Sequence, residues 1–235
     1  MAGAIEQRIL DEKLIAIVRG IDADKCVRVA EALYAGGIRL IEVTFAQAKP
    51  ESFPETANAI AAMVKALDGR AEIGAGTVTT TALVDLAADA GAKFIISPDA
   101  NPDVIRRTKE RGLVSIPGAM TPTEILSAHA AGADFVKLFP YSNGGAGYIK
   151  AIHAPLAHVP LLAVGGVRAE DYDLRLRIAG ISGEKIVTAA KPAELSALVD
   201  LKKCDTVVLL FELYRYDEAM RVRDELVKRM EAEAL

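Results

Sequence analysis

Short apolar runs rich in β-branched residues recur along the chain from residue 14, and stretches with helical hydrophobic spacing separate them. This alternation is typical of repeated strand–helix units around a parallel sheet. Eight such units in about 190 residues predict a closed (β/α)8 barrel, the TIM barrel, and leave an open doubly wound sheet as the alternative. The predicted strands are LIAIVRG (14–20), LIEVTF (40–45), AEIGAGTV (71–78), FIISP (94–98), VSIPGAM (114–120), FVKLFP (135–140), PLLAVGGV (160–167) and EKIVTAA (184–190).

Residues that begin and end helices lie between the predicted strands. Glycine clusters follow four of the predicted helices, in YAGG, DAGA, ERG and HAAGA. Glycine is favoured there because a helix often ends in a left-handed residue. Helix starts are predicted at Asp22, at Asn101-Pro102 and at Thr121-Pro122-Thr123-Glu124, where proline takes the first helical position and an acid lies in the first turn.

The C-terminal segment, 185–235, fits the eight-unit pattern poorly and is predicted to be a divergent part of one domain that spans 1–235. It contains a further strand-like run, CDTVVLLFELY, followed by a helical pattern. We expect this strand–helix extension either to cover the outside or bottom of the barrel or to form an oligomer contact.

Composition and charge narrow the class of partner. The chain has 235 residues, of which 51% are hydrophobic and 26% charged, and its formal net charge is -4 at pH 7. Nucleic-acid-binding proteins usually have a basic excess, so a small molecule is the expected partner. Cys26 and Cys204 form no CxxC pair, which predicts neither a disulfide framework nor a zinc site. Because neither a signal peptide nor a run of ~18 apolar residues is found, we expect a cytoplasmic protein that does not contact membranes.

Lys137 interrupts the apolar run FVKLFP. A lone lysine in a strand usually lies with its amine in solvent, and this is the alternative to a functional role. In a barrel, however, Lys137 shares a face with Phe135 and Phe139, so its amine would project into the interior. The ends of the second and third strands bring Glu42 and Thr77 towards the same cavity.

A buried lysine beside a carboxylate suits imine chemistry. Burial lowers the pKa of a lysine, so part of it is a neutral amine that attacks a carbonyl group. The protonated imine then accepts the electrons of a neighbouring C–C bond as it breaks, and the carboxylate moves the protons. This chemistry needs no cofactor. No metal site is predicted either, because His129, His153 and His158 lie in helices or loops.

Seven motifs occur in order and at characteristic separations: AIVRG, GGIRLIEVTF, IGAGTVTT, AGAKFIISPDANPDVI, IPGAMTPTEI, FVKLFP and LLAVGGV. Through them, residues 1–167 resemble the 2-keto-3-deoxy-6-phosphogluconate (KDPG) aldolase and 4-hydroxy-2-oxoglutarate aldolase family of class I aldolases. The resemblance implies a homotrimer of (β/α)8 barrels. It also implies cleavage of a 2-keto-3-deoxy-6-phospho sugar acid to pyruvate and glyceraldehyde 3-phosphate, without a cofactor or metal.

The resemblance also implies the roles of individual residues. Lys137 would be the Schiff-base lysine and Glu42 the general acid/base. Arg19 would meet the substrate carboxylate or a hydroxyl group, since its guanidinium suits such oxygens. The remaining substrate-binding residues would be Thr77, Pro98 and Phe139 around the pyruvate part, and the backbone amides of Gly165 and Gly166 at the phosphate.

Each of these roles has a structural alternative. Glu42 could form an ordinary ion pair with Arg39 or with Arg19. In that case Arg19 would be a structural ion-pair partner and would not bind the substrate. Thr77 could cap the helix that begins in TTTALVDL. The two glycines, Gly165 and Gly166, could form only a tight turn.

The chain also departs from the family pattern. Ala46 stands where many members have an arginine, and KIVTAAKPAEL replaces the glycine–serine phosphate loop, with Lys191 and the helix after Pro192 as substitutes. The missing loop favours an alternative substrate, an unphosphorylated 2-keto acid such as 4-hydroxy-2-oxoglutarate. A non-catalytic assembly or scaffold barrel is the alternative from another functional class.

Overall fold

The structure is a computed structural model, and it describes residues 2–12, 14–20, 23–35, 38–167, 186–190 and 207–213. Four sequence predictions lie outside these residues. They are the helix start at Asp22, the glycine cluster at 36–37, the phosphate-site substitutes at 191–192 and the C-terminal helix.

Strands and helices alternate along the described chain, and every predicted strand range contains a strand. The strands are β1 (Leu14–Val18), β2 (Leu40–Thr44), β3 (Glu72–Gly76), β4 (Phe94–Ile96), β5 (Val114–Ile116), β6 (Gly118–Ala119), β7 (Val136–Leu138), β8 (Leu161–Val167), β9 (Ile186–Ala190) and β10 (Val207–Leu213). The α-helices are α1 (Ala2–Glu12), α2 (Ala23–Ala35), α3 (Phe53–Leu67), α4 (Thr81–Asp89), α5 (Pro102–Glu110), α6 (Pro122–Ala130) and α7 (Gly145–His153). Single 3-10 turns occur at Pro50–Ser52 and Tyr141–Asn143.

The strands form one sheet in the order β5-β4-β3-β2-β1-β10-β9-β8-β7-β6. Its two ends, β5 and β6, are halves of one strand that is interrupted at Pro117, which has no N–H to donate. The N–H of Ser97, beside β4, donates to the carbonyl of Ile116 at 3.1 Å, and the N–H of Lys137 on β7 donates to that of Pro117 at 2.7 Å. The two halves therefore bind neighbours on opposite sides, and the sheet closes into the predicted α/β barrel.

The strand-like run near the C-terminus joins this ring. It forms β10, which pairs in parallel with β1 on one side and with β9 on the other. The described ring therefore contains one more strand than the eight predicted. The strand part of the C-terminal extension is a wall strand, and not a cover on the outside of the barrel.

The predicted helix ends are confirmed where the structure describes them. Gly91, Gly112 and Gly132 follow α4, α5 and α6 with φ of 92°, 70° and 105°, which is the left-handed region that glycine enters without steric cost. At the start of α5, the side chain of Asn101 accepts a hydrogen bond from the N–H of Asp103 at 3.0 Å.

Helix α6 begins with a complete capping box. The Thr121 hydroxyl accepts from the N–H of Glu124 at 3.3 Å, while the Glu124 carboxylate accepts from the N–H groups of Thr121 and Met120 at 2.8 and 2.9 Å. These backbone hydrogen bonds lower the pKa of Glu124, so the carboxylate is ionised at neutral pH. The loop from β6 to α6, at the C-terminal end of the barrel, is fixed by this box.

Helix α1 packs at the opposite end of the barrel. The guanidinium of Arg8 forms an ion pair with Glu72, the first residue of β3, and donates to the carbonyls of Gly69 and Arg70 at 3.2 and 2.7 Å. These contacts lie at the N-terminal ends of the strands. The C-terminal ends, where barrel enzymes have their active sites, lie at the opposite rim.

Candidate active site

Among the residues whose burial the structure describes, Glu42 and Lys137 are the charged side chains that are buried, with exposed fractions of 2% and 8%. Glu42 is in β2 and Lys137 is in β7. Moving a carboxylate or an ammonium group out of water costs several kcal/mol per ion in real proteins, even after relaxation. Buried charged side chains in a barrel wall are therefore candidates for a functional site.

The Glu42 carboxylate lies against the end of the neighbouring strand, β3. A Cβ built on Gly76 would lie 1.6 Å from Oε1 of Glu42. The carboxylate therefore lies over Gly76, the last residue of β3, at the C-terminal end of the wall.

Gly76→Ala is expected to displace this carboxylate. Because the built Cβ meets the tip of a side chain, we expect Glu42 to move while the backbone stays in place. Turnover should fall at least tenfold, with a loss of about 1–3 kcal/mol of stability from overpacking. The control is Gly147→Ala on α7, where a Cβ meets nothing within 4 Å. Steady-state kinetics and thermal unfolding of both variants check this; unchanged turnover in Gly76→Ala would contradict the placement of Glu42.

Lys137 lies beside Phe139 and Pro98. Its Nζ is 4.5 Å from the centre of the Phe139 ring. On the neighbouring strand its register partner is Gly118, and a Cβ on Gly118 would lie 2.4 Å from the carbonyl oxygen of Pro98. Register partners in parallel strands face the same side, so the Pro98 backbone lies on the face of the wall that carries the Lys137 side chain. Gly118 was not among the predicted residues, although a glycine inside a strand is a known sign of such a close approach.

The two glycines of β8 lie in a bulge inside the strand, and not in the tight turn that was their structural alternative. From Ala163 to Val167, β8 advances four residues while β9 advances two, from Thr188 to Ala190. Gly165 has a φ of 89°, and a Cβ built on it would lie 3.0 Å from the Phe139 ring. The bulge therefore brings the backbone of Gly165 against the ring that lies beside Lys137, and Gly166 follows it in the strand.

Thr77 directly follows β3 in a left-handed conformation with φ of 58°. This region is unfavourable for a β-branched residue and marks a position that its surroundings hold in place. The residue that caps α4 is Thr80, whose side chain accepts from the N–H of Leu83 at 3.3 Å. The alternative in which Thr77 caps this helix is therefore wrong.

The two arginines named as partners of Glu42 lie at opposite ends of the wall. Arg19 directly follows β1 at the C-terminal end, with an exposed side chain. Arg39 precedes β2, donates to the carbonyls of Tyr34 and Ile38 at 2.8 and 3.0 Å, and lies over the Tyr34 ring. Arg39 thus stabilises the N-terminal end of the barrel, while Arg19 is at the same end as the candidate site.

The residues that the structure describes contain no group of three or more His, Cys, Asp or Glu side chains arranged to hold a metal ion. No helix among them combines the length and the apolar character that a membrane crossing requires.

Comparisons with known proteins agree on one family. The model of the family described as KDPG and KHG aldolase matches residues 5–197, which extends beyond the motifs at 1–167. A probable 2-dehydro-3-deoxy-6-phosphogalactonate aldolase of Rhizobium meliloti (strain 1021) is 41% identical over 164 residues, 69% of this chain and 74% of that protein. A solved structure described as native KDPGal is 31% identical with a TM-score of 0.66, over 94% of this chain and 96% of that one.

The barrel is also shared with solved structures of lower sequence identity. The structure of a KDPG aldolase from Legionella pneumophila has a TM-score of 0.71 to this chain at 21% identity, and the match covers 95% of this chain and 96% of that one. This similarity concerns the fold.

Proposed function

Because the chain belongs to the KDPG and KHG aldolase family, we propose that it is a class I aldolase that cleaves a 2-keto-3-deoxy-6-phospho sugar acid to pyruvate and glyceraldehyde 3-phosphate. One observation carries the proposal: Lys137 and Glu42, the two charged side chains that are buried among the residues with described burial, are in strands of the barrel wall. Glu42 reaches the C-terminal end of that wall, the end at which barrel enzymes bind their substrates.

In the proposed reaction, the neutral amine of Lys137 attacks the C2 carbonyl of the substrate, and loss of water gives a protonated imine. Burial favours the neutral amine because it disfavours the ammonium form. The C4 hydroxyl then loses its proton and the C3–C4 bond breaks. Its electrons move to the imine as an enamine, and the aldehyde leaves. Protonation at C3 and hydrolysis of the imine release pyruvate and regenerate the lysine.

Glu42 is the proposed proton carrier. It would protonate the hydroxyl group of the carbinolamine so that it leaves as water, accept the proton of the C4 hydroxyl and return a proton to C3 of the enamine, directly or through a water molecule. Its position over Gly76 supports this role, because the glycine leaves the carboxylate room at the C-terminal end of the wall.

The residues around this pair would orient the substrate. Phe139 and Pro98 would bound the pyruvate part beside Lys137, and Thr77 would bind it from the end of β3. Arg19 would bind the carboxylate or a hydroxyl group. The amides of Gly165 and Gly166, in the bulge of β8, would bind the phosphate.

Borohydride reduction in the presence of pyruvate tests the proposal. We expect one stable adduct, located at Lys137 by peptide mass spectrometry, because reduction converts the imine into an amine that cannot hydrolyse. Rates of cleavage should be higher with the phosphorylated sugar acid than with 4-hydroxy-2-oxoglutarate. An unmodified protein would overturn the lysine mechanism and favour a non-catalytic barrel. A preference for 4-hydroxy-2-oxoglutarate would overturn the substrate assignment alone.

We also propose that the protein is a cytoplasmic homotrimer, as the family resemblance implies. Light scattering coupled to size exclusion should then give three times the chain mass of 25.0 kDa. A monomer mass at micromolar concentration would contradict the trimer.

A further inference from the structure

The conformation of Thr77 needs its own explanation. Among the described non-glycine residues, Thr77 and Asp68 have positive φ, at 58° and 44°. Asp68 is the C-cap of α3, where a left-handed residue is common. Thr77 ends a strand instead, so helix termination does not account for its backbone.

The residues on either side of Thr77 are held by backbone hydrogen bonds. The carbonyl of Gly76 accepts from the N–H of Phe45 at 2.9 Å, and the N–H of Val78 donates to the carbonyl of Ile96 at 3.2 Å. These bonds fix the chain before and after Thr77 to the flanking elements. The second bond already holds the planar peptide group that contains the Thr77 carbonyl, and a further contact to that carbonyl would hold the group more firmly.

The side chain of Gln47 makes such a contact. Gln47 lies in the loop from β2 to α3, and its Nε2 donates to the carbonyl of Thr77 at 2.6 Å. Its Oε1 accepts from the hydroxyl of Thr79 at 3.3 Å. The side-chain amide of Gln47 therefore forms hydrogen bonds with both Thr77 and Thr79 and bridges the turn between them.

The bond also links two parts of the proposed site. Glu42 is in β2, and Gln47 lies five residues later, in the loop that follows this strand. Thr77 follows Gly76, the glycine over which the Glu42 carboxylate lies. Gln47 is exposed, yet its side-chain amide forms a hydrogen bond with the neighbouring loop. A glutamine provides both a donor and an acceptor, and this contact uses both.

We infer that Gln47 is a positioning residue, which holds Thr77 in the orientation that binds the keto acid; this inference rests on the function proposed above. Gln47 acts through Thr77 and has no contact with the reacting atoms. Its loss changes substrate affinity, because the turn at Thr77 relaxes, and leaves Lys137 and Glu42 in place.

The test measures how the borohydride-trapped adduct depends on pyruvate concentration, together with kcat and KM for cleavage. In Gln47→Ala, the half-saturating pyruvate concentration and KM are expected to rise about 2- to 10-fold, the range that one hydrogen bond supports. The maximal adduct yield and kcat should stay within about twofold of the wild type. A merely structural role would instead lower the melting temperature and leave the half-saturating concentration unchanged.

Three further variants sharpen the test. Gln47→Glu keeps the shape but replaces the donor by an oxygen that faces the Thr77 carbonyl, so its half-saturating concentration should rise at least as much. Thr79→Ala should show a smaller rise and add nothing in the Gln47→Ala background. Gln7→Ala is the matched control: Gln7 is an exposed glutamine on α1 whose Nε2 donates to Asp11 at 2.8 Å, and no change is expected.

The outcomes separate this inference from the proposed function. If the wild type forms the adduct and both Gln47 variants have the wild-type half-saturating concentration, the inference on Gln47 is wrong and the aldolase proposal stands. If the wild type forms no adduct at any pyruvate concentration, both are overturned.

Discussion

Lys137→Ala is expected to abolish both the borohydride-trapped adduct and the cleavage reaction. The amine is the proposed nucleophile, and Lys137 is the one buried lysine among the residues that the structure describes. We expect kcat to fall by more than about 10³-fold, as for other enzymes that lose a covalent nucleophile. The protein should stay folded, with a melting temperature equal to or slightly above that of the wild type, because burying the polar amine is unfavourable for folding.

The matched control is Lys150→Ala, which removes an exposed lysine from α7, the helix that follows β7. Its activity and adduct yield should equal those of the wild type. Adduct mass, turnover and thermal unfolding are to be measured on the same preparations. Full activity in Lys137→Ala would show that the nucleophile has been assigned to the wrong residue.

Glu42→Gln is expected to slow cleavage strongly while an adduct with pyruvate still forms. The amide has the size of the carboxylate and fits over Gly76, but it neither accepts nor returns a proton at neutral pH. General acid–base catalysis contributes about 10²- to 10⁴-fold, so kcat should fall within that range. Adduct formation should become slower but reach the same final yield.

The control for this variant is Glu51→Gln, which changes an exposed carboxylate in the turn before α3. Time courses of trapping and turnover distinguish the two roles. Loss of Lys137 removes the adduct, whereas loss of Glu42 lowers the rates of adduct formation and cleavage. If Glu42→Gln turned over at the wild-type rate, another group would have to carry the protons.

Local sequence signals predicted much of the barrel. Each predicted strand range contains a strand because β-branched runs with glycine and proline at their ends are recognisable within a few residues. The helix ends at Gly91, Gly112 and Gly132 followed from the same local signals. Even so, the third predicted run continues to residue 78, while β3 ends at Gly76 and Thr77 turns away.

Contacts between distant segments were not predictable in this way. VSIPGAM reads as one strand, yet Pro117 divides it into β5 and β6, which bind different neighbours. The insertion of β10 between β1 and β9 depends on which strands pair, and no local pattern encodes that choice.

The same distinction applies to the candidate site. Lys137 and Glu42 are detectable as charges inside apolar runs, so their burial was predicted from the sequence alone. Gln47 reaches a carbonyl that lies 30 residues further along the chain, and in the sequence it is an ordinary polar loop residue. The cap of α4 was ambiguous because Thr77, Thr79 and Thr80 all precede that helix, and only the backbone conformation selects Thr80.

The junction at Pro117 also limits how copies of this protein associate. A sheet with two open sides presents unsatisfied N–H and C=O groups, which invite strands from other molecules and promote fibrils. Here the two ends of the strand order are covalently joined, so among the strands that the structure describes neither end is an outer edge. These strands therefore offer no free edge onto which a strand of another copy could be added.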